Sequence, residues 1–352
     1  MVTINRSIFQ KGLSSSRQAL MRPTEDPLRG IVTGDNLRLV QEGYLSVWDD
    51  IPLESSNGTS GEFSVNGADL YNIIAAANSE TIELKLNEKS LGVQYGKSSL
   101  RIPYVSTFGE IPDVPRVVSS VELPAAFMSS LSETLRFLAR TEDKPSLSCA
   151  YVKHEGKEVM LFATNSIIMY FASFDVDDSG DAEYLIPIQT VESVSKVFGK
   201  KDVRLGVSDR GHIYMSSGSV SMVTPGFNGT YPSAVLDLVK NVGTPMFTAN
   251  KKELVSLLRL GIDVSEGTRV AISQKLDSNV SLMFHETRLD ADLYLESVTG
   301  VGQFDSINLN TRFLLACLSP MGDEVMVNEN SIGAIRITDG KTVSILHKLL
   351  AY

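Results

Sequence analysis

The hydrophobic positions of the chain alternate between two spacings, one of three to four residues and one of two residues. The first spacing is typical of an amphipathic helix, and the second is typical of a strand with one buried face. The same order of elements occurs in three regions: a short strand, an amphipathic helix, two or three strands, a second short helix and a final set of strands. The pattern therefore predicts a unit of about 115 residues that is repeated three times, each unit being two copies of a helix followed by strands.

Six helices and eighteen strands follow from this reading. Asn250 is a suitable N-cap, Pro124 suits a first helical turn, and Gly199 suits a helix end. The predicted helices are 6–21, 66–78, 124–140, 188–198, 250–262 and 310–318. The predicted strands are 28–33, 37–41, 44–51, 81–86, 92–95, 99–103, 147–152, 158–163, 167–174, 203–207, 212–216, 220–224, 268–273, 280–285, 289–298, 324–328, 331–338 and 342–346, with a hairpin turn at Asp339-Gly340.

Two proline-containing stretches separate the regions. Segments 105–116 and 225–233 read as linkers, since proline and glycine interrupt both. We therefore expect an α+β protein of three tandem domains, with boundaries at 1–116, 117–241 and 242–352.

The composition places the chain among ordinary globular proteins. It has 352 residues, of which 43% are hydrophobic and 21% charged. No stretch has the roughly 18 apolar residues that a membrane-spanning helix requires. The first 20 residues scatter Arg6, Lys11 and Arg17 among polar positions and lack the apolar block of a secretory signal, which predicts an intracellular protein.

Several kinds of chemistry find no support in the motifs. Cys149 and Cys317 lie far apart in apolar surroundings, and the four histidines have no metal-ligand spacing, so neither a disulfide framework nor a zinc site is expected. No phosphate-binding Gly-Lys-Ser/Thr loop and no nucleophile elbow is present. The sequence therefore predicts no cofactor, no metal and no catalytic residue.

Two groups of acidic residues are candidates for chemistry. Asp290 and Asp292 share one face of a predicted strand and could do acid–base work, although a solvated strand face is the more frequent explanation of such a pair. Asp175, Asp177 and Asp178 read as a charged turn without calcium-loop spacing. An enzymatic function is thus the least supported interpretation.

Charge is segregated by element type. The chain has 42 acidic and 32 basic residues, a formal net charge of −10 that by itself disfavours a nucleic-acid partner. Counted over the six predicted helices with their flanking residues, however, the charge is about +9, which leaves about −19 elsewhere. Lysine and arginine also favour exposed helix faces for structural reasons. If the helices share a surface, that surface attracts phosphates without reading sequence.

Several short segments resemble the bacterial DNA sliding clamp, the β subunit of the replicative DNA polymerase III. Arg22-Pro23-Thr24 resembles the segment after the family's first helix, and Leu161-Phe162-Ala163-Thr164-Asn165 resembles a turn of its middle domain. Tyr184-Leu185-Ile186-Pro187 resembles the entry to a helix, and Asn228-Gly229-Thr230-Tyr231-Pro232 resembles an interdomain linker. The resemblance covers the whole chain in its order of elements, and the order together with the Gly–Tyr–Pro linker carries most weight.

The resemblance implies a head-to-tail homodimeric ring of clamp domains, with helices lining the ring and sheets outside. Such a ring encircles duplex DNA without reading sequence, is opened by an ATP-driven clamp loader, and tethers DNA polymerase and other DNA-acting partners in the bacterial cytoplasm. It has no catalytic activity of its own. The residues that we expect to contact DNA are basic and lie on or beside the helices; Arg22 matches a family motif, and the others rest on charge and placement. They are Arg6, Lys11, Arg17, Arg22, Arg136, Arg140, Lys144, Lys196, Lys200, Lys201, Lys251, Lys252, Arg259 and Arg312.

The resemblance also implies a hydrophobic pocket that takes an extended partner peptide with a glutamine and bulky apolar residues. Carried over to this chain, its walls are Thr164, Ser166, Ile167, Ile168, Met169, Pro232, Val235, Leu236, Ile335, Leu349, Leu350, Ala351 and Tyr352. Ile167-Ile168 replaces a His-Arg pair of the family, and the last five residues also depart from its pattern. The departure predicts a more apolar pocket with a different peptide preference, and favours a phage or plasmid clamp over a chromosomal one.

Two alternatives remain open at this level. The residues named for the pocket also fit the interior of a strand and a frayed terminus. The whole chain also fits a non-enzymatic scaffold or assembly protein of tandem β-rich domains, such as a viral one, whose helices mediate subunit contacts. A ring could close with two or three chains.

Overall fold

A computed structural model describes residues 1–19, 27–43, 45–106, 112–141, 143–265, 268–275, 279–284 and 291–349. Within these ranges the helices are α1 (Arg6–Ala19), α2 (Gly67–Ala76), α3 (Ala125–Thr134), α4 (Ile188–Phe198), α5 (Ser233–Lys240), α6 (Lys251–Ser265) and α7 (Thr311–Leu318), with a 3₁₀ helix at Pro145–Ser148. The strands are β1 (Val2–Asn5), β2 (Pro27–Thr33), β3 (Asn36–Gln41), β4 (Ser46–Pro52), β5 (Gly61–Asn66), β6 (Thr81–Leu86), β7 (Ser90–Tyr95), β8 (Ser98–Pro103), β9 (Val117–Leu123), β10 (Cys149–Thr164), β11 (Ile168–Pro187), β12 (Val203–Ser208), β13 (Ile213–Ser217), β14 (Val220–Thr224), β15 (Thr244–Asn250), β16 (Arg269–Gln274), β17 (Val280–Phe284), β18 (Ala291–Leu295), β19 (Val298–Thr299), β20 (Ile307–Asn310), β21 (Glu324–Glu329), β22 (Ile335–Thr338) and β23 (Thr342–Leu346).

The chain folds into two compact units. The first comprises residues 1–129, 176–178 and 189–226, and the second comprises residues 130–175, 179–188 and 227–352. Unit 1 contains a four-stranded sheet in the order β1-β6-β7-β8 and an eight-stranded sheet in the order β5-β2-β3-β4-β14-β13-β12-β9. Unit 2 contains a seven-stranded sheet, β10-β11-β23-β22-β21-β15-β19, and a four-stranded sheet, β18-β17-β16-β20. The predicted α+β class is confirmed, and the boundaries of three domains stay a prediction.

Asparagine N-caps recur at the helices of the first and third regions. The side chain of Asn66 accepts hydrogen bonds from the first backbone N–H groups of α2, and Asn310 does the same for α7. Asn5 and Asn250 cap α1 and α6 in the same way. An asparagine oxygen at this position satisfies donors that have no partner within the helix. The recurrence of one device at equivalent positions supports the internal repeat.

The helices bury one face against the sheets. In unit 1, Phe9 and Leu13 of α1 and Leu70 and Ile74 of α2 join a core formed with β1–β3 and β5–β7. Each such side chain is almost completely excluded from water, which stabilises the folded state by about 1.5–3 kcal/mol per residue before the cost of ordering the chain.

The predicted helix 124–140 is too long. The structure ends α3 at Thr134, whose hydroxyl donates to the carbonyl oxygen of Leu131 at 2.6 Å. The N–H groups of Phe137 and Leu138 then both bond the carbonyl oxygen of Thr134, which closes a tight turn. Leu138 is buried as the hydrophobic stripe indicated, but it is buried from a turn. Helix α1 is described as far as Ala19, and the last two residues predicted for it, 20 and 21, lie outside the described ranges.

The sequence suggested a turn at the acidic segment Asp175–Gly180. In the structure this segment is part of β11. Strands β10 and β11 form one long antiparallel hairpin with a register shift between Gly156 and Glu158. The sequence divided this hairpin into short strands because polar residues interrupt its alternation. Lys153 faces Glu183 across it, whereas Glu155 faces Asp181 and two acids thus oppose each other. Nearly all of the charged side chains at this end of the hairpin are exposed, so they belong to a solvated ribbon.

Helix α5 is absent from the sequence prediction. The sequence indicated a linker at 225–233 and no element directly after it, yet Ser233–Lys240 is helical and buries Val235 in the core of unit 2. The apolar residues of this segment have the three-to-four spacing of a helix, and Pro232 directly before it is a helix-start signal.

Candidate nucleic-acid and peptide interfaces

Six of the predicted DNA-contacting cations project from helices into solvent. They are Lys11 and Arg17 of α1, Lys196 of α4, Lys252 and Arg259 of α6, and Arg312 of α7. On α6, Lys252 and Arg259 lie seven residues apart, opposite the buried Leu254 and Leu258. This spacing places both cations on one exposed stripe. The guanidinium of Arg17 lies 4.7 Å from the ring centre of Tyr71 and is thereby oriented.

Two other predicted cations are engaged at helix ends. Arg6, the first residue of α1, donates to the carbonyl oxygens of Ile74 and Ala75 at the end of α2, at 3.2 and 3.1 Å. Lys251, the first residue of α6, donates to the carbonyl oxygens of Ser319 and Met321 just after α7. Both side chains are half-buried. They satisfy helix-terminal carbonyls and complement the negative end of the helix dipole.

Four other predicted cations follow the ends of helices. Arg136 follows α3 and forms an ion pair with Glu133 at 3.0 Å, and Arg140 lies further along the same connection. Lys200 and Lys201 follow the end of α4, where Gly199 adopts the left-handed conformation expected of a helix stop. Arg22 lies outside the described residues.

The observed helices are less basic than predicted. Helix α1 carries three cations and no acid, α6 and α7 each add one net positive charge, α2 and α3 each subtract one, and α4 and α5 are neutral. The net charge of the described helices is therefore +3, where the sequence suggested about +9. The difference of six arises because five of the counted cations lie outside the helices as described, and because α6 extends far enough to include Asp263.

Lys200 and Lys201 instead border an open groove of about 780 Å³ in unit 1. Arg204, Ser216 and Ser221 stand on neighbouring strands in direct register, which places them on the same face of the eight-stranded sheet. Arg204 is paired with Glu122 at 2.6 Å, and Asp202 lies at the same groove, so acids and bases alternate there.

The second candidate interface is a largely apolar pocket of about 430 Å³ in unit 2. Seven of the residues predicted for the peptide pocket line it: Thr164, Ser166, Ile167, Ile168, Met169, Pro232 and Val235. They come from the β10–β11 turn, from β11 and from the start of α5. The structure thus brings together segments that are some 70 residues apart in the sequence, as the resemblance implied.

A hydrogen-bonded turn fixes one wall of this pocket. The hydroxyl of Thr164 donates to the carbonyl oxygen of Ile168 at 2.8 Å, and the side chain of Asn165 accepts from the N–H groups of Ile167 and Ile168. Ser166 has a φ of 76°, a conformation that costs a residue with a side chain some backbone strain. The turn leaves Ile167 45% exposed, whereas Ile168 is buried.

Several predicted pocket residues lie elsewhere. Ile335 is fully buried in β22 and Leu236 packs into the core of unit 2, so neither lines the pocket as described. Leu349 bonds the backbone of Asn308, and residues 350–352 lie outside the described ranges. Ile335 therefore lies in the interior of a strand, whereas Ile168 is buried in β11 and also lines the pocket.

Six further residues line the pocket that the sequence did not assign to it. They are Lys144, which the sequence assigned to DNA, and Ser146, Leu147, Leu238, Ile345 and His347. Leu147 and Leu238 belong to the 3₁₀ helix and to α5, neither of which the sequence predicted as a helix.

Behind the pocket, the core of unit 2 is aromatic. Tyr151 stacks on Tyr231 with ring centres 4.7 Å apart, and burial raises the pKa of both phenols. Burial also raises the pKa of the nearby Cys149 thiol to about 11. These groups remain neutral near pH 7, so they add no charge to the core of unit 2.

Neither cysteine is in a disulfide, and the described residues contain no cluster of three potential metal ligands. Asp292 lies 3.6 Å from the ammonium of Lys275, and its partner in the proposed acid pair, Asp290, lies outside the described residues. No helix within the described ranges is long and apolar enough to cross a membrane.

Solved structures match this chain over its whole length. The β subunit of DNA polymerase III from Pseudomonas aeruginosa superposes with a TM-score of 0.86, covering 99% of this chain and 100% of that one, at 15% identity. The β subunit from Thermotoga maritima gives 0.83 over 100% and 99%, at 16% identity. The Helicobacter pylori β clamp, solved with 3,4-difluorobenzamide, gives 0.84 over 99% and 100%, at 15% identity.

The chain has the fold of the bacterial sliding clamps. The fold that the resemblance implied is thus confirmed. No family model matches the sequence, and no curated protein matches it either. At such identities the likeness lies in the arrangement of elements, while most side chains differ.

Proposed function

We propose that this chain is a DNA sliding clamp, a non-enzymatic processivity factor that encircles duplex DNA. The observation that carries the proposal is the match over essentially the full length of both chains with TM-scores of 0.83–0.86. Two of the matched structures are described as a sliding clamp and a β clamp. Clamps act by topology, so the function depends on preserving the architecture and tolerates extensive change of individual side chains.

The exposed helix cations supply the attraction to DNA. Lys11, Arg17, Lys196, Lys252, Arg259 and Arg312 project into solvent and can neutralise phosphates without reading bases. Arg6 and Lys251 are excluded from this set because their side chains hold helix ends. Weak, sequence-independent contacts suit a protein that slides.

Ring closure requires a surface on each unit that a second copy can join. Strand β8 ends the four-stranded sheet of unit 1, and β18 ends the four-stranded sheet of unit 2. Leu100 of β8 and Tyr294 of β18 are 39% and 50% exposed. An edge strand with exposed apolar side chains is a template for pairing with another chain. We propose that β8 of one copy pairs with β18 of the next in a ring of two.

The apolar pocket of unit 2 is the proposed docking site for polymerase and other DNA-acting partners. A preformed apolar concavity with a few polar groups suits an extended peptide. Opening of the ring is assigned to an ATP-driven loader, as the resemblance implies.

A topological assay tests the proposal without a loader. The chain is mixed with linear duplex DNA biotinylated at both ends, streptavidin is then added to block the ends, and the DNA is washed at high salt. Encirclement predicts retention on blocked DNA and loss from unblocked DNA. Adding streptavidin before the chain is the control, because a ring cannot then thread onto the ends.

Equal loss from blocked and unblocked DNA would overturn the proposal and favour the scaffold alternative. A variant with Lys11, Arg17, Lys252 and Arg259 all changed to glutamine adds a second readout. In a clamp, the salt dependence of binding to DNA weakens by about 0.9 in log–log slope for each phosphate that the variant no longer neutralises. In a scaffold, the substitutions leave binding to DNA unchanged and alter the oligomeric state.

A further inference from the structure

A glutamate near the start of α6 holds the connection between two strands of unit 2. Asn250 caps this helix, and Glu253 is its third residue. The carboxylate of Glu253 accepts hydrogen bonds from the backbone N–H groups of Glu296 and Ser297, at 2.6 and 3.0 Å, and from the hydroxyl of Ser297. The oxygen of that hydroxyl accepts in turn from the N–H of Asn250 at 3.3 Å. Hydrogen bonds thus join the start of the helix to the connection at several points.

This arrangement departs from the usual capping box. In a capping box, the acid at the third helical position bonds the N–H of the N-cap residue itself. Here Ser297 takes that N–H, and Glu253 reaches a residue 43 positions further along the chain. Glu253 therefore does more than cap its own helix.

The other asparagine-capped helices among the described residues lack this contact. In α2 the acid at the same position is Asp69, which is exposed and accepts no hydrogen bond from the described residues through its side chain. Helices α1 and α7 have Ile8 and Phe313 there. The device is thus specific to α6, the helix that packs beside β18.

The connection that Glu253 holds lies between two sheets. Strand β18 ends the four-stranded sheet, and β19 pairs with β15 in the seven-stranded sheet. Glu296 and Ser297 are the residues between β18 and β19. Since β18 is bonded along one side only, to β17, its position depends strongly on how its ends are fixed. Fixing the connection fixes the C-terminal end of the free edge that carries Tyr294.

The side chain of Glu253 is a carboxylate at neutral pH. Its partial burial disfavours the charged form, but the hydrogen bonds from Ser297 and from the N–H of Glu296 hold the pKa of Glu253 below its ordinary value. Hydrogen bonds to an ionised group are stronger than those between neutral groups. The connection is therefore held more firmly than ordinary turn hydrogen bonds would hold it.

We propose that Glu253 is a positioning residue for ring closure, which orders the free edge of β18 before β8 of a second copy pairs with it. The inference rests on the proposed function, because it assigns a residue to the closure of that ring. An edge that is already ordered loses less conformational entropy on pairing, so the interface is tighter and opens more slowly. Glu253 acts through its bonds to Glu296 and Ser297.

Subunit exchange tests this role. Light and heavy preparations, labelled with different nitrogen isotopes, are mixed, and native mass spectrometry follows the dimers that contain one chain of each. Glu253→Gln should accelerate exchange about five- to tenfold, because the amide keeps one acceptor and loses the charge that strengthens the bonds. Ser297→Ala should also accelerate exchange. The double variant should exchange hardly faster than Glu253→Gln alone, because both substitutions act on one network.

Asp69→Asn is the matched control. It also neutralises an acid at the third position of an asparagine-capped helix, but one whose side chain holds no other described segment, so exchange should keep the wild-type rate. A second control separates positioning from stability. In a Leu100→Glu background, where the chain should be monomeric, Glu253→Gln should leave Tm nearly unchanged.

The outcomes distinguish the inference from the proposed function. Exchange of Glu253→Gln at the wild-type rate would overturn the inference and leave the ring intact. Faster exchange with an equal acceleration in Asp69→Asn would assign the effect to net charge, and a large fall of Tm in the monomeric background would assign Glu253 to the stability of unit 2. A wild type that has the mass of one chain in light scattering would remove the proposed ring, and the inference with it.

Discussion

At the scale of single residues, Asp49 is an unfavourably buried carboxyl group. It is 4% exposed in β4, beneath Gly12 of α1, and its Oδ1 accepts from the Ser219 hydroxyl at 2.6 Å. Burial raises the pKa of Asp49 above its ordinary value, although the Ser219 bond and the charge of Lys201 oppose this effect. The folded state therefore holds the proton more tightly than the unfolded state does, and this contribution to stability is lost as the pH rises through the raised pKa.

Asp49→Asn should accordingly stabilise the protein at pH 7. The amide oxygen can still accept from Ser219 and no charge is buried, so we expect a rise in Tm of up to about 4 °C, which fades as the pH falls towards 4. Asp50→Asn is the control, because Asp50 is partly exposed and pairs with Arg38 at 2.6 Å. It should lower Tm slightly or leave it unchanged. A loss of stability in Asp49→Asn at every pH would contradict the assignment.

The two thiols should be inert in the folded protein. Cys149 and Cys317 are buried, and burial raises the pKa of Cys149 to about 11 and that of Cys317 further. The thiolate is the reactive form, so a thiol reagent at pH 8 should modify neither residue within the time in which it modifies free cysteine. In denaturant, two thiols per chain should react at once. Rapid modification of one thiol in the native protein would reveal local opening of the core around it.

At the scale of elements, the side chains of Arg6 and Lys251 each link two neighbouring helices by hydrogen bonds. Each is the first residue of its helix and binds carbonyl oxygens at the end of the helix packed beside it. Charge-assisted hydrogen bonds of half-buried side chains contribute about 1–2 kcal/mol each. Arg6→Ala and Lys251→Ala should therefore lower the denaturation midpoint measurably.

The matched control for Arg6→Ala and Lys251→Ala is Lys11→Ala, which removes an exposed cation from α1. It should leave stability almost unchanged and weaken binding to DNA. Arg6→Gln should lower stability in the same manner as Arg6→Ala, because it cannot bond both carbonyl groups. If Arg6→Ala weakens DNA binding with no loss of stability, the assignment of Arg6 to helix ends is wrong.

The hydrogen bonds of Arg6 and Lys251 to helix ends also show what the sequence could and could not predict. Most helix positions, the cap at Asn250 and the stop at Gly199 follow from local rules, because each is decided within a few residues. The partner of Arg6 is 68 residues away, and the far wall of the pocket is brought in by α5, most of which the sequence left unassigned after the linker 225–233. Charge alone cannot distinguish a cation that binds carbonyl groups from one that faces solvent.

At the scale of the whole molecule, local sequence patterns also overestimated the positive charge of the helices, because they did not fix where each helix ends. The seven described helices sum to +3 because Arg136, Arg140, Lys200 and Lys201 fall in connections after α3 and α4, while Arg22 lies outside the described residues and α6 includes Asp263. The resemblance survives this correction since it rested on the order of elements, and the order is what the fold comparison matches. A clamp needs a closed circle more than it needs a strongly basic surface.

Closure can be tested at the two free sheet edges. Leu100→Glu on β8 or Tyr294→Glu on β18 places a charge on an exposed position, so each chain should fold, yet the edges should no longer pair. Light scattering should give the 38.4 kDa of one chain for either variant and twice that mass for the wild type. Ile332→Glu, at an exposed hairpin position of unit 2, should remain dimeric. Because an open chain cannot encircle DNA, the monomeric variants should also lose retention on end-blocked duplex, and a variant that stays on the DNA as a monomer would separate binding from closure.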